Sequence, residues 1–259
     1  MRKYILDLQV KDLIYFKSNY FLLKLTSGEQ LPEMRPGQFV ELRVDGSPST
    51  FLRRPVSINF VDVEANELWL LIQVVGEGTR RLATYRVGEM VNLLMPLGNG
   101  FTIPCGTGEL RLLLIGGGVG VAPLLFLGDT LQKAGYQPEF LLGARSETDI
   151  MLLSDFCQRG VVHITTEDGS MGEKGFVTGH SILQNSLYDR IYTCGPKPMM
   201  VEVARYAQSR NIPCEVSLEN LMACGIGACL CCVEKTKKGH QCVCTDGPVF
   251  NINELTWLS

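Results

Sequence analysis

No excess of positive charge marks this 259-residue sequence: 24 lysines and arginines stand against 27 aspartates and glutamates, for a net charge of −3. The sequence-wide basic footprint of a nucleic-acid binder is therefore absent, and nucleic acid is not an expected partner. The opening residues Met1-Arg2-Lys3-Tyr4-Ile5-Leu6-Asp7 lack the apolar core of a secretory leader. The expected compartment is the cytoplasm, where thiols stay reduced. Internal repeats and low-complexity tracts are lacking as well. One long stretch lacks charge, Leu112 to Gly128, but it holds five glycines and Pro123. It reads as a buried strand, a glycine turn and the start of a helix, so no membrane span is expected. Disorder is excluded by composition, with 46% apolar and 20% charged residues. The length suits two domains and leaves room for a small third.

The first hundred residues read as short strands: Tyr4–Val10, Tyr20–Leu25, Gln38–Val44, Ser57–Asn59, Leu68–Val74 and Met90–Leu94. Turn signals such as Arg35-Pro36-Gly37 and Val87-Gly88-Glu89 separate them, and one helix interrupts them near Thr79–Tyr85. That spacing predicts an antiparallel β-barrel over 1–103. From residue 104 the pattern becomes strand, helix, strand. Leu110–Ile115, Glu139–Gly143, Val161–Thr165, Arg190–Cys194 and Glu215–Leu218 are strand-like; Pro123–Ala134 and Pro198–Arg210 are helical. Alternation of this kind predicts a parallel-sheet α/β domain over 104–218. Residues 219–259 show little periodicity and form a third, small segment.

Ten cysteines are many for this length, and six of them lie between Cys224 and Cys244. Clustered thiols in a reducing compartment point to a metal site. Cys224, Cys229 and Cys232 have C-x4-C-x2-C spacing, that of a plant-type [2Fe–2S] loop. Gly225 and Gly227 suit backbone that must approach sulfides closely and donate N–H bonds. On spacing alone the fourth ligand is Cys242 or Cys244. Structural zinc is the alternative, although Cys242-Val-Cys244 makes a tight second pair for it.

Two further turns join a strand to a helix. In Gly116-Gly117-Gly118-Val119-Gly120-Val121-Ala122-Pro123, backbone N–H groups and a helix start can meet a pyrophosphate. In Cys194-Gly195-Pro196-Lys197-Pro198, a thiol sits where it can pack against a nicotinamide ring. In the barrel half, Arg53 and Arg54 offer two guanidiniums to phosphate, or two surface charges. Gly76-Glu77-Gly78-Thr79 reads as a second anion-binding turn, with Thr79 near a helix N-cap. Arg145 suits a 2′-phosphate, whereas Glu147 or Asp149 suits a ribose hydroxyl, so the choice between NADP and NAD stays open.

Taken together these residues resemble the ferredoxin reductase family, which pairs a flavin barrel with a nicotinamide-binding α/β domain. The resemblance implies FAD, with Arg54 on its pyrophosphate and Ser57 near the isoalloxazine. It departs from many relatives at Val56, where they carry tyrosine. The cofactor-contacting set it implies is Arg54, Pro55, Val56, Ser57, Ile72, Gln73, Val74, Gly78 and Thr79, with Gly117, Gly118, Gly120, Cys194 and Gly195 for NAD. The segment MACGIGACLCC followed by CVCTDGPVF narrows the resemblance to the electron transfer subunits of dihydroorotate dehydrogenase B, as do RRPVSI, GEGTR, PLGNGF and GGGVGV in the same order. That likeness selects Cys244 as the last ligand, giving Cys224, Cys229, Cys232 and Cys244. It implies a [2Fe–2S] cluster and an FMN-containing dihydroorotate dehydrogenase catalytic subunit as partner, two copies of each forming a heterotetramer in pyrimidine (UMP) biosynthesis. A related subunit of another NAD(P)H-dependent complex, such as a ferredoxin or sulfide oxidoreductase, and a zinc-stabilised binding module are the competing expectations.

Overall fold

The computed structural model describes residues 2–106 and 109–258. Seven strands fill the N-terminal part: β1 (Tyr4–Tyr15), β2 (Tyr20–Thr26), β3 (Phe39–Leu42), β4 (Arg54–Ser57), β5 (Phe60–Asp62), β6 (Glu67–Gln73) and β7 (Met90–Leu97). They pair antiparallel in the order β4-β3-β7-β1-β2-β6-β5. The expected strand over Ser57–Asn59 is corrected. β4 ends at Ser57, and the chain then changes ladder partner. The Ile58 N–H donates to the Gln38 carbonyl beside β3, and the Asn59 N–H donates to the Trp69 carbonyl of β6. This corner carries the chain from one edge of the sheet to the other. It also explains why Pro55 is tolerated, since an edge strand needs no donor on its outer side.

Strand β1 alternates, with Leu8 and Val10 buried and Asp7, Gln9 and Lys11 exposed. Strand β2 does not alternate, because both its faces are covered. Phe21, Leu23 and Leu25 fill the barrel. Tyr20 and Leu22 face the other way, against Leu112, Leu114 and Tyr192 of the α/β part. Between β6 and β7 lies the short helix α1 (Glu77–Leu82). Its N-cap is Gly76 rather than Thr79. Thr79 sits at the third helical position, and its hydroxyl accepts from the Val75 and Gly76 N–H groups at 2.9 and 3.0 Å.

The second sheet is built from β8 (Leu112–Gly117), β9 (Glu139–Ala144), β10 (Val161–Thr166), β11 (Glu173–Lys174), β12 (Arg190–Cys194) and β13 (Cys214–Ser217). With β16 (Val249–Asn251), the order is β11-β10-β9-β8-β12-β13-β16. All pairs are parallel except β13 with β16. Helices α2 (Ala122–Lys133), α3 (Leu153–Cys157), α4 (Ile182–Asn185) and α5 (Lys197–Ser209) connect the strands. All six residues of β8 are buried, as a central parallel strand requires. The uncharged run Leu112–Gly128 resolves into β8, a 3-10 turn over Gly118–Val121 and the first half of α2. No helix among the described residues is long and apolar enough to cross a membrane. Strand order reverses between β8 and β12, so the crevice of this doubly wound sheet opens at their carboxyl ends.

Beyond Glu219 the chain forms a hairpin, β14 (Val233–Thr236) with β15 (Gly239–Cys242), then returns β16 to the edge of the α/β sheet. Strands of three or four residues are too short to show a period, which is why the sequence gives no sign of them. Cys232, Val243 and Cys244 are buried in one core with Phe39 and Leu97 of the barrel and Val216 and Leu218 of the sheet.

Helix α2 lies on β9 through Gly128. A Cβ there would fall 2.3 Å from Phe140 Cζ, and Phe140 is wedged edge-on against Phe156 at 5.0 Å. Alanine should add about 1 kcal/mol of helix propensity, but overpacking a full core costs about 1–3 kcal/mol. Gly128→Ala is expected to lower stability by up to about 2 kcal/mol in urea unfolding; a more stable variant would show that the Phe140 ring gives way.

Candidate functional site

The crevice between β8 and β12 is a cleft of about 620 Å³. Gly117, Gly118, Val119 and Gly120 form one wall, and Gly195 with Pro196 form another. The two turns touch backbone to backbone: a Cβ on Gly120 would lie 2.4 Å from Gly195 Cα and 2.5 Å from the Cys194 carbonyl oxygen. Gly118 has φ +55, a left-handed conformation that suits glycine. Pro123 stands in the first turn of α2, where its missing N–H costs nothing.

Of the sequence-predicted residues, the cleft gathers Gln73, Gly117, Gly118, Gly120, Gly195, Arg145 and Asp149. Glu147 is not among its lining residues; its N–H binds Ser170 Oγ at 2.8 Å. Cys194 does not line the cleft either. It is 8% exposed, and burial, helped by the charge of Glu219, pushes its thiol up to about 12. It is a neutral, packed thiol behind the turn. Sequence reasoning missed Tyr20, Glu167 and Glu219, which also line the cleft. Tyr20 reads as one more apolar strand residue. Glu219 follows the carboxyl end of β13, where the rule for parallel sheets would have placed a ligand contact.

A second cavity, of about 320 Å³, is lined by Ser49, Thr50, Arg54, Val75, Gly76, Glu77, Gly78 and Thr79. The two neighbouring arginines part company here. Arg53 is committed to the barrel wall, donating from Nη1 to the Glu41 and Asn92 carbonyls at 3.2 and 3.1 Å and from Nη2 to the Asn92 side chain. Arg54 faces the cavity and lies flat on Gly78, whose Cβ would fall 2.8 Å from Arg54 Nε. Pro55, Val56 and Ser57 are half-buried along β4. Ile72 turns into the barrel core, and Val74 packs against its rim.

The cysteine segment wraps one loop of backbone around the thiols. Cys224 receives backbone N–H groups, foremost from Ile226 and then from Cys229 and Ala228, which bring it down to about 6. The Cys229 N–H lies 3.4 Å from Cys224 Sγ. The Cys244 N–H points at Cys232 Sγ from 3.4 Å. Burial and the Cys232 thiol push Cys244 up to about 12, against a bond from the Gly227 N–H. Backbone N–H groups thus link Cys229 to the Cys224 sulfur and Cys244 to the Cys232 sulfur. Among the described residues no three His, Cys, Asp or Glu side chains gather round one point. Cys242 also approaches Cys232, but it is only half-buried, whereas Cys244 is buried; Cys231 is exposed. Gly225 and Gly227 have φ of +64 and +83, which this tight loop demands.

Beneath that loop lies Glu41 of β3. It is 1% exposed, and neither carboxyl oxygen has a hydrogen-bond partner among the described residues. A Cβ on Gly225 would fall 2.7–3.0 Å from its carboxyl group. Burial first, then the Cys224 charge, push Glu41 up to about 7, against the pull of Arg53. An orphaned acid against a loop of inward-turned amides and thiols fits a polar group seated in that loop. Glu41 is also the cross-strand neighbour of Pro55, so one pair of strands carries both the cavity arginine and the floor of the cysteine loop.

Residues 219–256 match the iron-sulfur cluster binding domain of dihydroorotate dehydrogenase B. The dihydroorotate dehydrogenase B (NAD(+)) electron transfer subunit of Shouchella clausii is 42% identical over 88% of this chain and 89% of its own length. The subunit of the same name from Fusobacterium nucleatum is 36% identical over 96% of this chain and 97% of its own. Among solved structures, an NADH-dependent reduced ferredoxin-NADP oxidoreductase superposes with a TM-score of 0.87 at 29% identity, covering 96% of this chain and 90% of that one. The ferredoxin reductase of carbazole 1,9a-dioxygenase shares the fold, with a TM-score of 0.69 at 20% identity. By sequence over nearly its whole length and by fold, the chain belongs to the family of dihydroorotate dehydrogenase B electron transfer subunits.

Proposed function

We propose that this chain is an oxidoreductase subunit that conducts electrons from a partner FMN-containing dihydroorotate dehydrogenase catalytic subunit, through a [2Fe–2S] cluster and FAD, to NAD+. The pathway it serves is pyrimidine (UMP) biosynthesis in the cytoplasm, as part of a heterotetramer with two copies of each subunit. The observation that carries the reading is the pairing of Glu41 with Pro55 across β3 and β4. It sets the cysteine loop and the arginine-lined cavity on one wall, with the glycine-walled cleft opening beside Gln73. FAD, when bound, exchanges an electron pair with nicotinamide and single electrons with an iron–sulfur centre, and so belongs between the two.

Three working units divide the labour: 1–103 for FAD, 104–218 for NAD and 219–259 for the cluster. Arg54 and the Gly76–Thr79 turn hold the FAD pyrophosphate, and Pro55, Val56, Ser57, Ile72, Gln73 and Val74 follow the flavin along the barrel wall. Gly117, Gly118, Gly120 and Gly195 offer backbone to NAD, with the Cys194 thiol behind them as packing. Cys224, Cys229, Cys232 and Cys244 hold the cluster. The C-x4-C-x2-C spacing of the first three favours an iron–sulfur cluster over zinc, whose usual ligands come as two C-x2-4-C pairs. Around the loop, Leu221, Ile226 and Leu230 are 85%, 49% and 64% exposed. An apolar rim beside the cysteines suits a partner interface, with Lys235, Lys237 and Lys238 at its edge. The likeness to the ferredoxin-NADP oxidoreductase favours one second reading, a subunit of a different flavin complex; the large subunit that co-purifies decides between them.

Three measurements test this. Cys231→Ser should keep iron content and the reduced-state EPR signal near wild type, whereas Cys244→Ser should lose both; the reverse would refute the ligand set. Arg54→Ala removes charge-assisted bonds of about 1.5–3 kcal/mol each. FAD should then dissociate about one to two orders of magnitude more readily, with iron content unchanged; equal FAD affinity would return Arg54 to the surface charges. Finally, Cys229→Ser in the complex should abolish FAD reduction by dihydroorotate in stopped flow while sparing NADH oxidation by ferricyanide. FAD reduction at the wild-type rate would mean that the cluster is not the conduit.

A further inference from the structure

The NAD cleft is not made by the α/β domain alone. Tyr20 enters it from the barrel, at the first residue of β2. Its ring is buried in the core shared by the two domains, packed with Leu22, Leu112 and Leu114. Its hydroxyl oxygen accepts from Gln73 Nε2 at 3.1 Å, which leaves the phenolic hydrogen for another acceptor. The oxygen also faces the phosphate-binding turn, because a Cβ on Gly118 would sit 3.7 Å from it. Arg145 and Asp149 are its charged neighbours across the cleft.

From this geometry we infer that Tyr20 is a positioning residue for the dinucleotide, donating its phenolic hydrogen to a pyrophosphate or ribose oxygen where the ligand crosses Gly118. The inference rests on the proposed NAD site and adds a contact from the opposite domain. Gln73 aims the phenol by occupying its acceptor side, and the buried ring fixes its direction. Burial, reinforced by Asp149, raises the hydroxyl above its ordinary value of 10, so it remains a donor throughout the neutral range. A dinucleotide held this way is gripped by both domains at once.

The probe is ADP-ribose, which carries the pyrophosphate and both riboses but no nicotinamide, compared with NAD+ in calorimetric titration of the FAD-loaded complex. Tyr20→Phe keeps the ring and removes the hydroxyl. It should weaken ADP-ribose and NAD+ alike by about tenfold, the size of one hydrogen bond to a charged acceptor. The KM for NADH in ferricyanide reduction should rise with kcat unchanged, and FAD content should stay at the wild-type level. Unchanged ADP-ribose affinity in Tyr20→Phe, with wild type binding normally, overturns the inference and leaves the NAD site standing. Wild-type protein that binds neither ligand overturns the NAD site itself, and the inference with it. If the variant does not hold FAD, wild-type complex with 13Cζ-labelled tyrosine in this chain carries the same test. Tyr20 is the one tyrosine among the cleft's described lining residues. ADP-ribose should shift one phenol resonance, and the absence of any shift overturns the inference.

Discussion

Strand β2 is buried on both faces, and the placement of every site follows from that. Its Phe21, Leu23 and Leu25 close the barrel core, while Tyr20 and Leu22 share a core with β8 and β12. A strand covered on one side would leave the two sheets as separate bodies joined by a linker. Covered on both, it joins them through apolar packing at about 25 cal/mol per Å² of surface removed from water. The mouth of the cleft therefore stands at a fixed distance from β6, whose last residue, Gln73, reaches into it. The C-terminal segment is bound into the same block. β16 ladders onto β13, and the Asn99 N–H and side chain bond back to the Gly247, Thr245 and Asp246 carbonyls.

Glu41 and Cys224 show how the block handles charge. The Cys224 thiol is favoured as thiolate by N–H groups from its own loop, the ordinary way a protein makes a sulfur ligand. Glu41, on the other side of that loop, has burial without donors and so is held toward its neutral form. A neutral acid under Gly225 costs less than a carboxylate there. It also adds less negative charge beneath the Cys224 sulfur. The loop can rest on β3 only because residue 225 has no Cβ.

Much of this was legible in the sequence because it depended on backbone. The strand–glycine–helix turns at Gly117–Gly120 and Gly195 stand where they were expected, and the cysteine spacing foretold a wrapped loop. What stayed hidden depended on tertiary direction. Arg53 and Arg54 are chemically alike and adjacent, yet one bonds the barrel wall and the other faces the cavity. Arg53 precedes β4 and Arg54 opens it, and no composition argument could say which of the two faced the cavity. Cys194 lies in the right turn but is buried and does not line the cleft. Thr79 was placed at an N-cap that Gly76 occupies, because Thr79 makes its backbone contact by reaching back three residues. Glu41 carried no signal, since one glutamate within an apolar strand reads as its exposed face.

The charge balance that argued against nucleic acid does not argue against anions. A nucleic-acid surface needs many cations because it neutralises many phosphates in water. A dinucleotide cleft needs few, because buried donors act at low dielectric and each is aimed. Here the available donors are mostly backbone: the turn after β8, the first turn of α1 and the loop around Cys224. The guanidinium of Arg54 lines a cavity of about 320 Å³, the one arginine among its described lining residues, and a charge-assisted bond is stronger than a neutral one. A chain with net charge −3 can therefore still offer polarised donors to anionic groups, because backbone N–H groups such as those of Ile226, Ala228 and Cys229 supply positive ends that a count of charged residues never records.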